Sequence, residues 1–177
     1  LSDEEIISQE VMMLVAGKVT TTDQICNNFY LLMSRPGLFE QIKKNPEQMT
    51  LSTEEFKRFD PAVTSLFRVA TEDAQLGAQP IKTGDTVFIA THAINRDAEM
   101  FEEPLTMNIQ RTSNKHFAYG HGAHYCLGAR LGRLQMEILF NHIVKEFPTM
   151  KLDPSRSAER DHYSLAFSGF KTIPVII

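Results

Sequence analysis

The amino-terminal third of the chain has no proline before Pro36, so one long helix can form there. Ser2 followed by Glu5 is the pattern of a capping box, and the acidic residues of this turn favour a helix start. We therefore predict a helix over 3–35. Its middle, residues 11–16, is apolar at every position, so apolar side chains point to all sides rather than along one stripe. Such a helix is expected to be surrounded by other protein.

The remainder of the chain indicates a mainly α fold with small β-sheets. Ser52 is expected to cap a short helix that ends near Phe59. Leu131, Leu134 and Ile138 recur at helical spacing and predict a second long helix. We expect a single partial domain over 1–177, with these parts in order: a long helix at 3–35, short helices and a small sheet at 38–92, a loop at 93–126, a helix at 127–147 and strands at 148–177.

Charge and composition argue against two classes of binding partner, nucleic acids and membranes. The chain has 18 Lys and Arg against 22 Asp and Glu, a net charge of −4, and its basic residues are scattered. This argues against nucleic acid, which needs a positive field. No apolar run approaches the roughly 20 residues that span a bilayer, so a membrane is not expected either. The two cysteines are far apart and no signal peptide opens the chain, which favours a cytoplasmic protein.

The segment 119–128 has the clearest chemical signal, a glycine-rich turn followed by a cysteine. Gly120 and the glycine after it allow the backbone to approach a flat ligand closely. Cys126 lies at the predicted start of a helix, where the helix amides and dipole stabilise a thiolate. A thiolate at such a position is a good ligand for iron. For a lone cysteine, the alternative is a buried structural residue.

This segment resembles the haem-binding loop of the cytochrome P450 family, whose pattern is aromatic-x-x-Gly-x-His/Arg-x-Cys-x-Gly. The matching residues are, in order, Tyr119, Gly122, His124, Cys126 and Gly128. The resemblance implies that Cys126 is the metal ligand of haem b (iron protoporphyrin IX). It further implies that His124 binds a haem propionate and that Tyr119, Gly120 and Gly128 belong to the cofactor site. The usual aromatic residue is phenylalanine, so Tyr119 adds a hydroxyl group.

Two earlier segments resemble the same family. Glu55 and Arg58 match its Glu-x-x-Arg motif, in which residues three apart on a helix form a structural ion pair that Arg111 joins. Arg68 resembles the arginine that binds a haem propionate. The simpler interpretations are a solvated ion pair and a solvated arginine.

The first helix matches the family's segment over the distal face of the haem. Ala16 and Gly17 would pack against the cofactor, and Thr20 would be the catalytic residue with its hydroxyl near bound oxygen. Alternatively, the Thr20 hydroxyl bonds to its own helix backbone. Val19 stands where the family has a carboxylate, and a valine can neither carry a proton nor order water for O–O cleavage.

The resemblance implies a haem-thiolate monooxygenase of the soluble bacterial type. Such an enzyme inserts oxygen into a small organic substrate with electrons from a ferredoxin or flavodoxin type of protein. Because of Val19, a peroxide-dependent or redox-neutral reaction is an alternative. A third interpretation is a truncated, non-catalytic module that binds another protein.

The resemblance corresponds to the carboxyl-terminal, haem-binding half of the family's architecture. The other half would normally cover the distal pocket. Without it, the apolar residues 11–16 would be exposed, which a stable monomer rarely tolerates. We therefore expect a second chain or a second copy to cover the long helix.

Overall fold

The computed structural model describes residues 1–161 and 164–177, so residues 162 and 163 within the predicted carboxyl-terminal strands lie outside the described residues. The fold is mainly α-helical with small β-sheets, as predicted. The α-helices are α1 (Asp3–Ser34), α2 (Leu38–Lys44), α3 (Met49–Phe59), α4 (Thr91–Ile94) and α5 (Ala129–Glu146). No described helix has the length and apolar character needed to cross a membrane.

Helix α1 begins with the capping box that the sequence predicts. Ser2 Oγ accepts from the Glu5 amide at 3.2 Å, and the Ser2 amide donates to Glu5 Oε2 at 2.7 Å. The two halves of the helix differ in burial. Leu31 and Leu32 in its second half are in the core, whereas the apolar residues 11–15 are exposed because no described segment packs on them.

Helix α3 begins earlier than predicted, and the assignment of Ser52 as its cap is wrong. A 3-10 turn over Pro46–Gln48 leads directly into the helix at Met49. Ser52 therefore lies inside the helix, where its hydroxyl donates to the Gln48 carbonyl at 2.7 Å. A serine within a helix forms this bond to the preceding turn, while a cap requires extended backbone.

The core lies among the second half of α1 and helices α2, α3 and α5. Fully buried apolar side chains come from each of these helices, namely Leu32, Ile42, Phe56, Met136 and Phe140. Burying a side chain of this size stabilises the fold by about 1.5–3 kcal/mol.

Helix α5 begins two residues later than predicted and buries a different face. Leu131, Leu134 and Ile138, whose spacing predicts the helix, are all exposed. The buried side of the helix presents Met136 and Phe140 to the core. The periodicity therefore identifies the helix but not the face that this chain packs.

The strands form four antiparallel pairs in the described residues. They are β1 (Ser65–Val69) with β4 (Thr86–Ala90), β2 (Ala74–Leu76) with β3 (Gln79–Ile81), β5 (Lys151–Leu152) with β8 (Val175–Ile176), and β6 (Glu159–Asp161) with β7 (Gly169–Thr172). The β2–β3 hairpin is not among the predicted elements. Gly77, with a φ of 59°, occupies its turn and is the sequence signal that marks it.

A fully buried ion pair joins α3 to the segment 95–114. Glu55 and Arg58 are both 0% exposed, and the two side chains share two hydrogen bonds of 2.7 and 2.8 Å. Arg58 also donates to the carbonyls of Asn95 and Pro104, each at 2.8 Å. The structural ion pair predicted from the Glu-x-x-Arg motif is confirmed.

The Glu55 carboxylate receives further donors from the same segment. The Asn108 amide donates to it at 2.8 Å and the Asn114 side chain at 3.0 Å. Arg111 Nε lies 3.3 Å from Glu55 Oε2, which confirms its predicted place in the network. Glu55 thus fixes a stretch of irregular chain through hydrogen bonds and ion pairs, in addition to the buried apolar side chains of Phe101 and Ile109.

We expect Glu55→Gln to lower the free energy of unfolding by about 3–5 kcal/mol, because it leaves the Arg58 charge buried without a partner. The matched control is Glu40→Gln. Glu40 forms an i, i+3 pair with Lys43, but both side chains are substantially exposed, so the cost should stay below about 0.5 kcal/mol. Urea unfolding of both variants measures the difference. Equal losses in the two variants would contradict the structural role assigned to Glu55.

Candidate functional site

Cys126 is presented by a compact turn that we call the Cys126 loop, residues 119–128. The Cys126 amide donates to the Tyr119 carbonyl at 3.0 Å, which closes the loop on itself. Gly120 and Gly122 have φ values of 71° and 72°, a conformation that side chains disfavour. A short 3-10 turn, Gly122–His124, lies within the loop. These glycines are therefore required by the backbone path that leads to Cys126.

Cys126 is a free, exposed cysteine, which rules out the alternative of a buried structural residue. It precedes the first residue of α5 by three positions rather than lying inside the helix start. Its carbonyl accepts from the Ala129 amide at 3.3 Å, and Gly128 is the helix N-cap. Among the described residues, no cluster of three or more metal-ligating side chains is present.

A second charged network surrounds the Glu54 carboxylate, beside the Cys126 loop. Glu54 accepts from Arg133 Nε at 3.0 Å and pairs with His116 Nε2 at 3.1 Å. The buried Lys57 ammonium also donates to it. Burial by itself raises the pKa of Glu54, but the His116 hydrogen bond and the Lys57 charge together lower it to about 2.

Tyr119 lies against this network. Its ring has the Arg133 guanidinium 4.6 Å and the Lys57 ammonium 5.4 Å from its centroid, both within the range of cation–π attraction. Burial raises the pKa of the Tyr119 hydroxyl. A Cβ on Gly132 would stand 3.2 Å from that hydroxyl, so the absence of a side chain at Gly132 makes room for the tyrosine.

The candidate residues on α1 form a separate group. The Thr20 hydroxyl donates to the Ala16 carbonyl at 2.7 Å, which is the backbone bond given above as the alternative for this residue. A side chain on Gly17 would meet no atom within 4 Å, so this face of the helix is open. Val19 is half-buried. In the described part of the chain, no hydrogen bond joins this group to the Cys126 loop.

The two predicted propionate ligands lie on different elements. Arg68 is exposed on β1, where its guanidinium donates to the Phe67 carbonyl at 2.8 Å. His124 is exposed in the Cys126 loop. Neither has a carboxylate partner among the described residues, so both side chains are free to bind an anionic group.

Four residues in or beside the Cys126 loop were not predicted from the sequence as parts of the site, namely Glu54, His116, Tyr125 and Arg133. Glu54 contacts His116 and Arg133 across long intervals of sequence, and no local motif encodes such pairs. The only indication in the sequence that Glu54 belongs to the site is that it immediately precedes Glu55, the first residue of the Glu-x-x-Arg motif.

Comparison with known proteins decides the family. The sequence profile described as Cytochrome P450 matches residues 1–168. This chain belongs to the cytochrome P450 family. The predicted fold class is thereby confirmed as part of the P450 architecture. The crystal structure of CYP109E1 from Bacillus megaterium in complex with testosterone superimposes with a TM-score of 0.93 at 35% identity, over 99% of this chain and 48% of that one.

Curated P450 relatives give the same result. A putative cytochrome P450 named YjiB of Bacillus subtilis is 40% identical over 151 residues, covering 85% of this chain and 38% of the relative. The mycinamicin IV hydroxylase/epoxidase of Micromonospora griseorubida is 34% identical, covering 99% of this chain and 45% of the relative. The chain thus spans less than half the length of these relatives.

Membership of the P450 family implies a haem cofactor, and the residues present fit one. Cys126 offers an exposed thiol, the donor that a haem-thiolate iron requires. Side chains built on Gly122 and Gly128 would meet no atom within 4 Å, so the loop leaves space for a flat ligand. Leu127, next to the thiol, is 89% exposed and supplies apolar surface for a macrocycle.

We expect the stabilising effect of Glu54 to depend on pH. Its folded-state pKa of about 2 lies below the ordinary value of 4.5, so its stabilisation is present above pH 4.5 and is lost as the pH falls towards 2. Glu54→Gln should reduce the free energy of unfolding by about 1–3 kcal/mol at pH 6, and this difference should shrink by pH 3.

Urea unfolding between pH 3 and pH 6 measures this dependence. The control is Glu47→Gln, which removes an exposed carboxylate that has no ion pair in the described residues. A Glu54→Gln difference that stays constant over the range would contradict the charge network.

Proposed function

We propose that this chain forms the haem-binding part of a monooxygenase that inserts oxygen into a small organic substrate. The observation that carries the proposal is the exposed Cys126 thiol at the end of a loop closed by its own backbone. Relatives named as a hydroxylase/epoxidase and as an N-oxygenase support this type of reaction. The cofactor is proposed to be haem b, with electrons from a ferredoxin or flavodoxin type of protein.

The residues of the Cys126 loop would hold the cofactor. Cys126 would bind the iron through its sulfur, and Tyr119 would keep the Cys126 amide in place through its carbonyl. Gly120 would maintain the turn, and Gly128 would leave room for the macrocycle at the helix cap. When bound, the haem supplies the redox chemistry that a thiolate ligand directs towards O–O cleavage.

Ion pairing would orient the cofactor. A haem carries carboxylate groups, and His124 and the Arg68 guanidinium are exposed donors without a carboxylate partner in the described residues. Binding of the carboxylate groups by these two side chains would help to hold the cofactor in one orientation. Each such charge-assisted hydrogen bond contributes about 1.5–3 kcal/mol.

On the distal side, the α1 residues would complete the pocket. Ala16 and Gly17 carry almost no side chain, so a planar ligand could lie directly against the helix. Because the proton of Thr20 is donated to the Ala16 carbonyl, the lone pairs of its oxygen remain available to accept a hydrogen bond from water or substrate. Thr20 would therefore order a water molecule in this pocket.

Absorption spectroscopy of the purified, haem-loaded chain tests the proposal. When the haem-loaded proteins are reduced under carbon monoxide, the parent and Cys26→Ser should both show a strongly red-shifted Soret absorption band. The reason is that each of them retains Cys126. Cys126→Ser should lose this band by at least about tenfold, since it removes the thiolate ligand. Cys26 is the matched control because it is the other cysteine of the chain.

Other spectra would contradict the proposal. An unshifted band in the parent would mean that haem binds without Cys126. No Soret absorbance would favour the non-catalytic interaction module instead.

Val19 favours a second candidate reaction, driven by peroxide or redox-neutral. A valine cannot deliver the protons that dioxygen cleavage consumes, whereas peroxide is already reduced. If the chain is a monooxygenase limited at this position, Val19→Asp should raise dioxygen consumption by about tenfold when a ferredoxin system supplies electrons. Unchanged dioxygen consumption with a fall in peroxide-driven oxidation would support the second reaction. Val19→Asn controls for polarity without a titratable group.

The first half of helix α1 has exposed apolar side chains that could contact a further protein partner. Apolar side chains at residues 11–15 are each at least half exposed and follow one another around the helix. Contiguous apolar surface of this kind marks a contact with another polypeptide. We infer that a second chain, or a second copy of this one, covers the first half of α1.

A further inference from the structure

Arg133 on α5 links several groups that border the Cys126 loop. Its Nε donates to Glu54 at 3.0 Å, and one terminal nitrogen donates to the Tyr125 hydroxyl at 3.1 Å. Its guanidinium carbon lies 4.6 Å from the centroid of the Tyr119 ring. Arg133 therefore contacts a side chain at each end of the turn that presents Cys126.

These contacts bear directly on the backbone around the thiol. Tyr125 is the residue before Cys126, and the Tyr119 carbonyl accepts from the Cys126 amide at 3.0 Å. Moving either tyrosine would move the Cys126 amide or the preceding peptide. A guanidinium can make both hydrogen bonds and stack on a ring at once, because its donors lie in one rigid plane.

The anion that holds Arg133 is itself fixed. Glu54 lies on α3, and its carboxylate also pairs with Lys57 and with His116. The side chain of His116 is 2% exposed and that of Lys57 is 1% exposed, so Glu54 has little freedom to turn away. Arg133 therefore connects the Cys126 loop to a fixed carboxylate on α3.

We propose that Arg133 is a positioning residue that holds the Cys126 loop, and thereby the thiolate, in the geometry for binding iron. The inference rests on the proposed function but extends it to a residue outside the loop. A role limited to joining α3 and α5 would stabilise the fold without affecting the loop. The test must therefore observe the loop directly.

Hydrogen exchange of the peptide amides in residues 119–126 provides a measurement that does not need haem. In the purified 177-residue chain, Arg133→Gln should accelerate this exchange by about tenfold while the core of α3 keeps the parent rate. Arg130→Gln is the matched control, because it removes the same charge from an exposed position on the same helix. Arg133→Lys should be intermediate, since an ammonium cannot reproduce the planar contacts.

The haem-loaded chain provides the second measurement. The red-shifted carbon monoxide band of Arg133→Gln should convert to the unshifted form about tenfold faster than in the parent, at equal haem content. Tyr125→Phe removes only the hydroxyl that accepts from Arg133 and should show a smaller acceleration of the same kind. This variant keeps the test decisive if Arg133→Gln does not fold.

The outcomes separate the two proposals. Accelerated loop exchange in Arg133→Gln and Tyr125→Phe, but not in Arg130→Gln, supports the positioning role even if the parent shows no red-shifted band. That absence would count against the proposed function alone. Parent-like loop exchange in both Arg133→Gln and Tyr125→Phe, or equal acceleration in Arg130→Gln, overturns the inference.

Discussion

The buried Glu55 carboxylate is the interaction on which the rest of this structure depends. The Glu55 side chain has no exposure to water and accepts hydrogen bonds from Arg58, Asn108 and Asn114. The segment that it fixes contains little regular structure, so these polar bonds replace a helix or sheet ladder. Asn95, whose carbonyl accepts from Arg58, receives the Phe117 amide on its side chain at 2.6 Å. A continuous series of hydrogen bonds therefore connects α3, through Asn95, to Phe117, which lies two residues before the Cys126 loop.

The two adjacent acidic residues Glu54 and Glu55 of α3 bind different parts of the chain. Successive side chains on a helix point about 100° apart, so Glu54 and Glu55 face different parts of the chain. Glu55 holds the irregular segment that precedes the Cys126 loop, while Glu54 is tied to Arg133 on the helix that follows it. One turn of α3 thus supports the chain on both sides of Cys126. Each carboxylate is matched by cations that offset the cost of its burial.

Local sequence patterns predicted the features that depend on residues close together in the sequence. They did not predict the features that depend on contacts between distant segments. The capping box at Ser2, the glycine-rich turn at 119–128 and the Glu55–Arg58 spacing are all readable because their physics is confined to a few residues. The buried face of α5 was not predictable, because the apolar side chains of Leu131, Leu134 and Ile138 are more than half exposed among the described residues. The Glu54 network was missed because its members meet only after folding.

The central claim is that this scaffold presents Cys126 as the ligand of a haem iron. X-ray absorption at the iron edge of the haem-loaded chain tests it most directly, because it detects the atoms bonded to iron. We expect one sulfur atom bonded to iron in the parent and in Cys26→Ser, and none in Cys126→Ser. A first shell without sulfur, or a sulfur that persists in Cys126→Ser, would contradict it.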